Sequence, residues 1–177
     1  METDLKFFPS GDRGLLVKLG DSIDRKTNRR VHILSENVRR TNLDGVEDIV
    51  PGYCSLLILF DPLKKSYAAL LQEIQSLNQN LVYGNPRQTR RLEIPVCYGG
   101  DYGPDLEDIA TLHQLSEAEV IRQHSSSDYL VYFIGFCPGF PYMGEVSPSI
   151  ATSRLARPRV RVPAGSIGIA GNQTGIY

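Results

Sequence analysis

The 177-residue sequence lacks an excess of charge of either sign, with 19 lysines and arginines against 20 acidic residues. Nucleic acids and anionic membranes favour a basic excess, so neither is an expected partner. No apolar run approaches the ~20 residues that a membrane-spanning helix needs. The start, "METDLKFFPSGDRG", has no apolar segment typical of a secretory signal, so a cytoplasmic location is expected.

Cysteine is scarce, and the motifs of several enzyme classes are missing. Cys54, Cys97 and Cys137 are far apart and show no C-x-x-C spacing, which argues against a disulfide framework and a zinc site. We expect plain buried or half-buried thiols. The sequence contains no P-loop, no H-E-x-x-H and no G-x-S-x-G motif. It therefore predicts no metal and no cofactor bound by this chain.

What the sequence does contain is, first, an α/β pattern over residues 1–85. "GLLVKLG" predicts a strand, and Asp21, Ser22 or Asp24 then caps a helix that continues through Arg40. "VEDIV" and "SLLILF" predict two strands around the turn "PGY". A second helix begins at Ser66 and carries an apolar face of Leu70, Ile74, Leu77 and Leu81. This order predicts a split βαβ, ferredoxin-like domain.

A polar segment, Tyr83 to Arg91, is the predicted linker to a second domain over residues 90–177. "LEIPVCY" alternates at period two and predicts a strand. Two short helices follow; Asp105 is expected to cap the first, and Ser116 with Glu119 forms a capping box for the second. "YLVYFIGF" and "RVRVPAGSIGIAGNQTGIY" then predict glycine- and proline-punctuated strands, typical of a barrel.

Three arginines, Arg157, Arg159 and Arg161, alternate with valines in "ARPRVRVP". On a strand this alternation places the guanidinium groups on one face. The pattern fits either a solvated outer face or a site for a carboxylate or phosphate, and the sequence leaves both open. The sequence also leaves two roles open for His124. A histidine is favourable at a helix C-terminus, and His124 is also a candidate general base.

The segment "CPGFPYMG" combines a turn with aromatic side chains. Pro138 and Gly139 predict a tight turn with glycine at the positive-φ position. An apolar aromatic wall, hydrogen-bonding groups in "GNQTGIY" and the arginines are together the ingredients of a pocket for a small polar acid. The wall and the hydrogen-bonding groups consist of Phe136, Phe140, Tyr142, Asn172, Gln173 and Thr174.

Two long motifs carry a resemblance to a known family. The first is "H-x4-Y-x-V-x-F-I-G-F-x-P-G-F-P-Y-M", from His124 to Met143, and the second is "RLARPRVRVPAGSIGIAGNQTGIY". Together with "IPVCYGGDYGPDLEDIA" and "GDRGLLVKLGD", they resemble the KipI-like family, also called allophanate hydrolase subunit 1. The family includes the B subunit of the bacterial ATP-dependent 5-oxoprolinase, and the resemblance spans essentially the whole chain.

The resemblance implies a fold and a set of partners. The implied fold is α+β: a small N-terminal α/β domain followed by a cyclophilin-like β-barrel. The implied partners are a KipA-like protein and a LamB/YcsF-like protein, with which such relatives open 5-oxoproline to glutamate at the expense of ATP. Other relatives imply two alternatives: an inhibitor that binds a sporulation histidine kinase, and a carboxyltransferase-like domain of urea metabolism.

The resemblance also narrows the candidate residues. The family pattern "PRLATPRTSVPAGS" matches Arg154 and Arg159, whereas Arg157 and Arg161 stand where other residues are usual. The family continues beyond "QTGIY", so a barrel without its closing strands is expected at Tyr177. The catalytic candidates are His124 and Arg159. The substrate-binding candidates are Phe140, Tyr142, Arg154, Arg159, Gln173 and Thr174.

Overall fold

The computed structural model describes residues 5–79 and 89–177 as a mixed α/β protein. Within these residues there are two four-stranded antiparallel sheets and four α-helices. The chain divides into two compact units, Met1–Arg87 and Gln88–Tyr177. Most of the predicted linker, residues 83–88, lies outside the described residues. None of the described helices is long and apolar enough to cross a membrane.

The first unit is one sheet with two helices. Its elements are β1 (Lys6–Pro9), β2 (Gly14–Lys18), α1 (Arg25–Thr41), β3 (Val46–Pro51), β4 (Ser55–Phe60) and α2 (Tyr67–Gln79). The strand order is β1-β2-β4-β3, so β4 lies between the two strands that α1 connects. The predicted strands and helices from β2 to α2 are confirmed. Strand β1 was not predicted, because four residues ending in proline give a weak pattern.

The core of the first unit follows from two periodicities. Alternate residues of β2 and β4 point to one face of the sheet, and residues three or four apart line one side of each helix. Both helices contact the sheet and each other. The buried set is Leu15, Val17, Leu19, Val31, Leu34, Val38, Ile49, Leu56, Ile58, Phe60, Leu70 and Ile74. Leu77 packs against this core, and the predicted Leu81 lies outside the described residues.

The second unit holds two short helices and the second sheet. Its elements are α3 (Leu106–His113), α4 (Glu117–Ser125), β5 (Leu130–Ile134), β6 (Pro141–Gly144), β7 (Ile167–Ala170) and β8 (Gln173–Ile176), preceded by a 3-10 turn at Gly100–Tyr102. The strand order is β5-β6-β8-β7. A small core joins the helices to the loop after β6 and includes Leu106, Ala110, Val120, Val146 and Ile150.

Two predicted strands of the second unit are wrong. Residues 92–98 form no ladder with any described strand, and Leu92 and Ile94 are 63% and 54% exposed. The arginine segment, residues 154–163, is likewise irregular, and Val160 is fully exposed. The three arginines therefore do not share a strand face. Alternation makes a strand only where a neighbouring strand offers hydrogen bonds, and neither segment has such a neighbour among the described residues.

Two smaller predictions also need correction, and the predicted cap at Ser116 is confirmed. Cys97 and Cys137 are exposed, whereas buried or half-buried thiols were expected; Cys54 is half-buried. Asp105 stands at the N-cap of α3, but its side chain makes no capping hydrogen bond. Ser116 does cap α4, because its Oγ accepts from the Glu119 backbone N–H at 3.2 Å.

Candidate functional site

His124 is a buried histidine in the last turn of α4, with 7% of its surface exposed. Its Nδ1 lies 2.6 Å from the hydroxyl of Tyr98, and its Nε2 lies 3.3 Å from Oγ1 of Thr174 on β8. The Tyr129 hydroxyl donates to the His124 backbone carbonyl at 2.8 Å. One side chain thus connects α4, the segment before α3 and strand β8.

The hydrogen-bond partners assign the proton on the His124 ring. Thr174 Oγ1 donates its single proton to the Gly168 carbonyl at 3.0 Å, so toward His124 it accepts. Nε2 therefore carries the hydrogen, and Nδ1 accepts from Tyr98. Burial lowers the pKa of His124 and raises the pKa of Tyr98, which keeps both groups neutral near pH 7. The result is a chain of three hydrogen bonds from Tyr98 to Gly168.

We call Tyr98, His124 and Thr174 the histidine cluster. Strand β8 separates it from a group of aromatic side chains. Thr174 pairs with Met143 in the register between β6 and β8, and it points toward His124. The next residue, Gly175, faces the opposite side, where an added Cβ would lie 2.5 Å from Cζ of Phe140. Gln173 shares that opposite side by the same alternation. His124 and Phe140 are therefore on different faces of the sheet.

We call the second group the aromatic cluster; it consists of Phe133, Phe136, Phe140, Tyr142 and Tyr177. Phe133 and Tyr142 stack with ring centroids 4.4 Å apart. Phe140 makes edge contacts with Phe136, Tyr142 and Tyr177 at centroid distances of 5.0 to 5.6 Å. The Tyr177 ring lies 3.6 Å from where a Cβ of Gly168 would be. The two paired glycines of β7 and β8 thus leave room for rings on this face.

The turn that carries the aromatic cluster is the one predicted from "CPGF". Phe140 N–H donates to the Cys137 carbonyl at 3.1 Å, and Gly139 has a φ of +85°, as a type II turn requires. Phe136 has a φ of +61°, a region that non-glycine residues rarely adopt, and its side chain is 79% exposed. A strained and exposed aromatic residue in such a turn is typical of a binding surface.

Arg159 lies in the irregular segment after β6, and its side chain forms a bidentate ion pair with Asp105. Its two terminal nitrogens each donate to one carboxylate oxygen, and both side chains are about 40% exposed. The hydrogen bonds from Arg159 lower the pKa of Asp105, and those bonds also raise the pKa of Arg159. The guanidinium predicted to bind a carboxylate therefore holds a carboxylate of its own chain.

The predicted site residues fall into three groups. The structure joins His124 to Thr174 and Phe140 to Tyr142, and it places Gln173 in β8 opposite Gly144. Arg159 is bound to Asp105, and Arg154 is exposed in the same irregular segment. The described residues contain no group of three or more His, Cys, Asp or Glu side chains that could hold a metal ion.

Sequence reasoning missed three members of these groups: Tyr98, Tyr129 and Asp105 in its role as an ion-pair partner. Tyr129 stands in the "H-x4-Y" motif, and a spacing of five from His124 is a signal that could have suggested the contact. Asp105 and Tyr98 are 54 and 26 residues from their partners, and no local pattern reports such distant pairs.

Comparisons with known proteins agree with this structure. A family model described as "carboxyltransferase domain, subdomain C and D" matches residues 5–177. The 5-oxoprolinase B subunit of Bacillus subtilis (strain 168) is 35% identical over 177 residues, covering 94% of this chain and 74% of the relative. The protein of the same name from Haemophilus influenzae is 42% identical over 137 residues, covering 76% of this chain and 64% of the relative.

A solved structure of a protein named TTHA0988 is 37% identical and superposes with a TM-score of 0.81. The match covers 93% of this chain but only 32% of TTHA0988, so this chain spans about a third of that protein's length. The family model and the curated relatives confirm the resemblance to the family that includes the 5-oxoprolinase B subunit. The chain belongs to the carboxyltransferase domain, subdomain C and D, family.

Proposed function

We propose that this chain is the B subunit of a cytoplasmic, ATP-dependent 5-oxoprolinase, acting with a KipA-like protein and a LamB/YcsF-like protein. The observation that carries the proposal is the identity of 35 to 42% with curated relatives named as the B subunit of 5-oxoprolinase. The word "subunit" in those names supports a requirement for partners. The assembled enzyme uses ATP to open 5-oxo-L-proline to L-glutamate, and this chain alone is inactive.

The substrate chemistry fits the side chains available. A five-membered lactam resists hydrolysis, and phosphorylation of its carbonyl oxygen by ATP makes the carbonyl carbon a better electrophile. The substrate also carries a carboxylate, which a guanidinium binds with two parallel hydrogen bonds. We assign this contact to Arg159, with Arg154 as a second positive charge, and we assign the apolar edge of the ring to Phe140 and Tyr142.

The two faces of β8 suggest different roles for the two clusters. His124 and Thr174 are buried, whereas Phe136 and Tyr177 of the aromatic cluster are exposed, so a small substrate reaches the aromatic face directly. Gln173, which shares that face, is the proposed amide donor to the substrate. Thr174 and His124 then support β8 from behind, so His124 contributes to catalysis through strand position.

We also propose the finer fold assignment implied by the family. In the first unit, β4 inserted between β2 and β3 supports a ferredoxin-like arrangement in which β1 occupies the remaining edge. In the second unit, an antiparallel sheet with aromatic side chains on one face supports a cyclophilin-like barrel.

The test is to co-express the full-length protein with its two proposed partners and to measure ADP release with and without 5-oxoproline. The proposal predicts co-purification of the three chains and ADP release that depends on 5-oxoproline. An inactive complete assembly, together with tight binding of this chain to the dimerisation domain of a sporulation histidine kinase, would establish the inhibitor alternative instead.

A further inference from the structure

The ion pair between Arg159 and Asp105 has the geometry of a ligand complex. Two guanidinium nitrogens meet two carboxylate oxygens, which is how arginine recognises a free carboxylate. Arg159 and Asp105 remain 43% and 37% exposed, so a carboxylate in solution can approach the same guanidinium. Asp105 therefore occupies the position that a carboxylate ligand of Arg159 would take.

Asp105 has a second set of partners within reach of its own backbone. It stands at the N-cap of α3, where an aspartate side chain normally accepts from the first free N–H groups of the helix. In this structure it makes no such bond, and its φ and ψ of −105° and 0° differ from the extended backbone of Ser116, which does cap α4. If Arg159 turns away, Asp105 can cap α3 and keep hydrogen-bond partners.

The segment that carries Arg159 is free of regular structure and poorly packed. Residues 153–163 form neither helix nor strand, and Leu155, Val160 and Val162 are exposed although they are apolar. Few buried contacts mean that local rearrangement costs little. Arg159 can therefore change partner without disturbing the sheet or its core.

We propose that Asp105 is a positioning residue: it holds Arg159 in the unliganded protein, and the carboxylate of the substrate displaces it onto the N-terminus of α3. The identity of the substrate in this inference rests on the proposed function. The exchange of one carboxylate for another at Arg159 is independent of that function. Asp105 acts as an internal competitor that keeps the guanidinium extended and oriented until an acid arrives.

The test measures carboxylate binding to the full chain by calorimetric titration with two probes, 5-oxo-L-proline and acetate. Asp105→Asn removes the competing charge, and asparagine still caps helices well. The matched control is Asp108→Asn, since Asp108 also acts electrostatically on Arg159 but does not occupy its guanidinium. Arg159→Ala removes the site. Thermal unfolding of each variant verifies that it is folded.

The proposal predicts that Asp105→Asn binds both probes about threefold more tightly, the factor that corresponds to an exposed ion pair. Asp108→Asn should bind as the wild type does, and Arg159→Ala should lose binding. In the wild-type protein, saturating acid should also shift the carbon NMR signal of the Asp105 carboxyl, because that carboxylate changes its hydrogen-bond partners. Helix capping alone predicts no gain in affinity from Asp105→Asn.

Equal affinity of Asp105→Asn and wild type, an equal gain in Asp108→Asn, or full binding by Arg159→Ala would each overturn the proposal. The two probes separate it from the proposed function. A gain for both probes with no preference for 5-oxoproline supports the exchange but contradicts the substrate assignment. A wild-type preference for 5-oxoproline without a gain in Asp105→Asn supports the substrate assignment and contradicts the exchange.

Discussion

His124 illustrates how neighbours determine the protonation state of a single side chain. Both ring nitrogens have partners, and the Thr174 hydroxyl donates its proton to a backbone carbonyl, so only the Nε2–H tautomer satisfies every group. A charged imidazole would lose the acceptor that Tyr98 requires. The sequence alone did not decide whether His124 interacts with a helix C-terminus or acts as a general base, because spacing does not report hydrogen-bond partners.

The burial of His124 predicts a specific pH dependence of stability. Its pKa in the folded protein lies below the ordinary value of 6.5, so the unfolded chain binds more protons as the pH falls. Stability is therefore complete above pH 6.5 and is lost as the pH falls from there toward the folded pKa. Chemical unfolding of wild type and His124→Gln between pH 7.5 and 5 measures this.

His124→Gln keeps an N–H donor for Thr174 and removes the titrating group. We expect it to be less stable at pH 7.5 and to show a flatter dependence on pH over that range. Tyr98 and Tyr129, which contact His124, have raised pKa values and do not titrate in this window. Identical pH slopes for the two proteins would show that His124 is not the titrating group.

Gly175 is a second residue whose identity follows from its contacts. A Cβ there would come 2.5 Å from the Phe140 ring, whereas a Cβ at the paired Gly168 would meet Tyr177 at an ordinary 3.6 Å. Gly175→Ala should therefore lower the free energy of unfolding by about 1–3 kcal/mol, as overpacking does. Gly168→Ala is the matched control and should change it much less.

A double variant tests the cause of that loss. Phe140→Leu shortens the side chain that the new methyl group would strike, so Gly175→Ala should cost less in this background than in the wild type. Denaturant unfolding of the four proteins gives the coupling free energy. Strictly additive losses would mean that the Phe140 ring is not the obstacle.

At the scale of elements, local signals predicted α1, α2, β2, β3, β4 and β5 because each carries its own pattern and boundary. α1 combines an apolar stripe, an N-cap and a left-handed C-cap at Asn42. The predicted strands over residues 92–98 and in the arginine segment failed although both alternate. A helix makes its hydrogen bonds within itself, whereas a strand requires a partner that sequence periodicity does not reveal.

The N-cap of α1 predicts how much one capping side chain contributes to stability. Asp24 accepts from the Thr27 backbone N–H at 2.8 Å and from its hydroxyl at 2.7 Å, and these bonds lower the pKa of Asp24. Asp24→Ala should cost about 1 kcal/mol of stability, and Asp24→Asn should cost much less because asparagine also caps. Thermal unfolding monitored by far-UV circular dichroism measures both; equal losses would contradict the capping role.

For the whole molecule, the division into two units predicts that the first can fold alone. Among its described residues, the twelve buried core residues all lie between Leu15 and Ile74. We expect a fragment of residues 1–87 to unfold cooperatively and to give a dispersed amide NMR spectrum. A fragment with the spectrum of an unfolded chain would show that its core depends on the rest of the protein.

The candidate site was partly predictable from the sequence. The aromatic turn was identified because proline, glycine and aromatic residues are adjacent in the chain, and Gly139 adopts the predicted conformation. The partner of Arg159 was not identified, because Asp105 is 54 residues away in the chain. Its place before a predicted helix indicated a helix cap instead. Contacts between distant residues depend on the fold, and they decide what each candidate can do.

The assignment of this chain to a 5-oxoprolinase is tested by glutamate formation from 5-oxoproline and ATP in the reconstituted assembly of three proteins, with each protein omitted in turn. We predict glutamate and ADP in equal amounts, and loss of both products when this chain is left out. Conversion of 5-oxoproline by the two partners alone would contradict that assignment. ATP hydrolysis that does not depend on 5-oxoproline would contradict it as well.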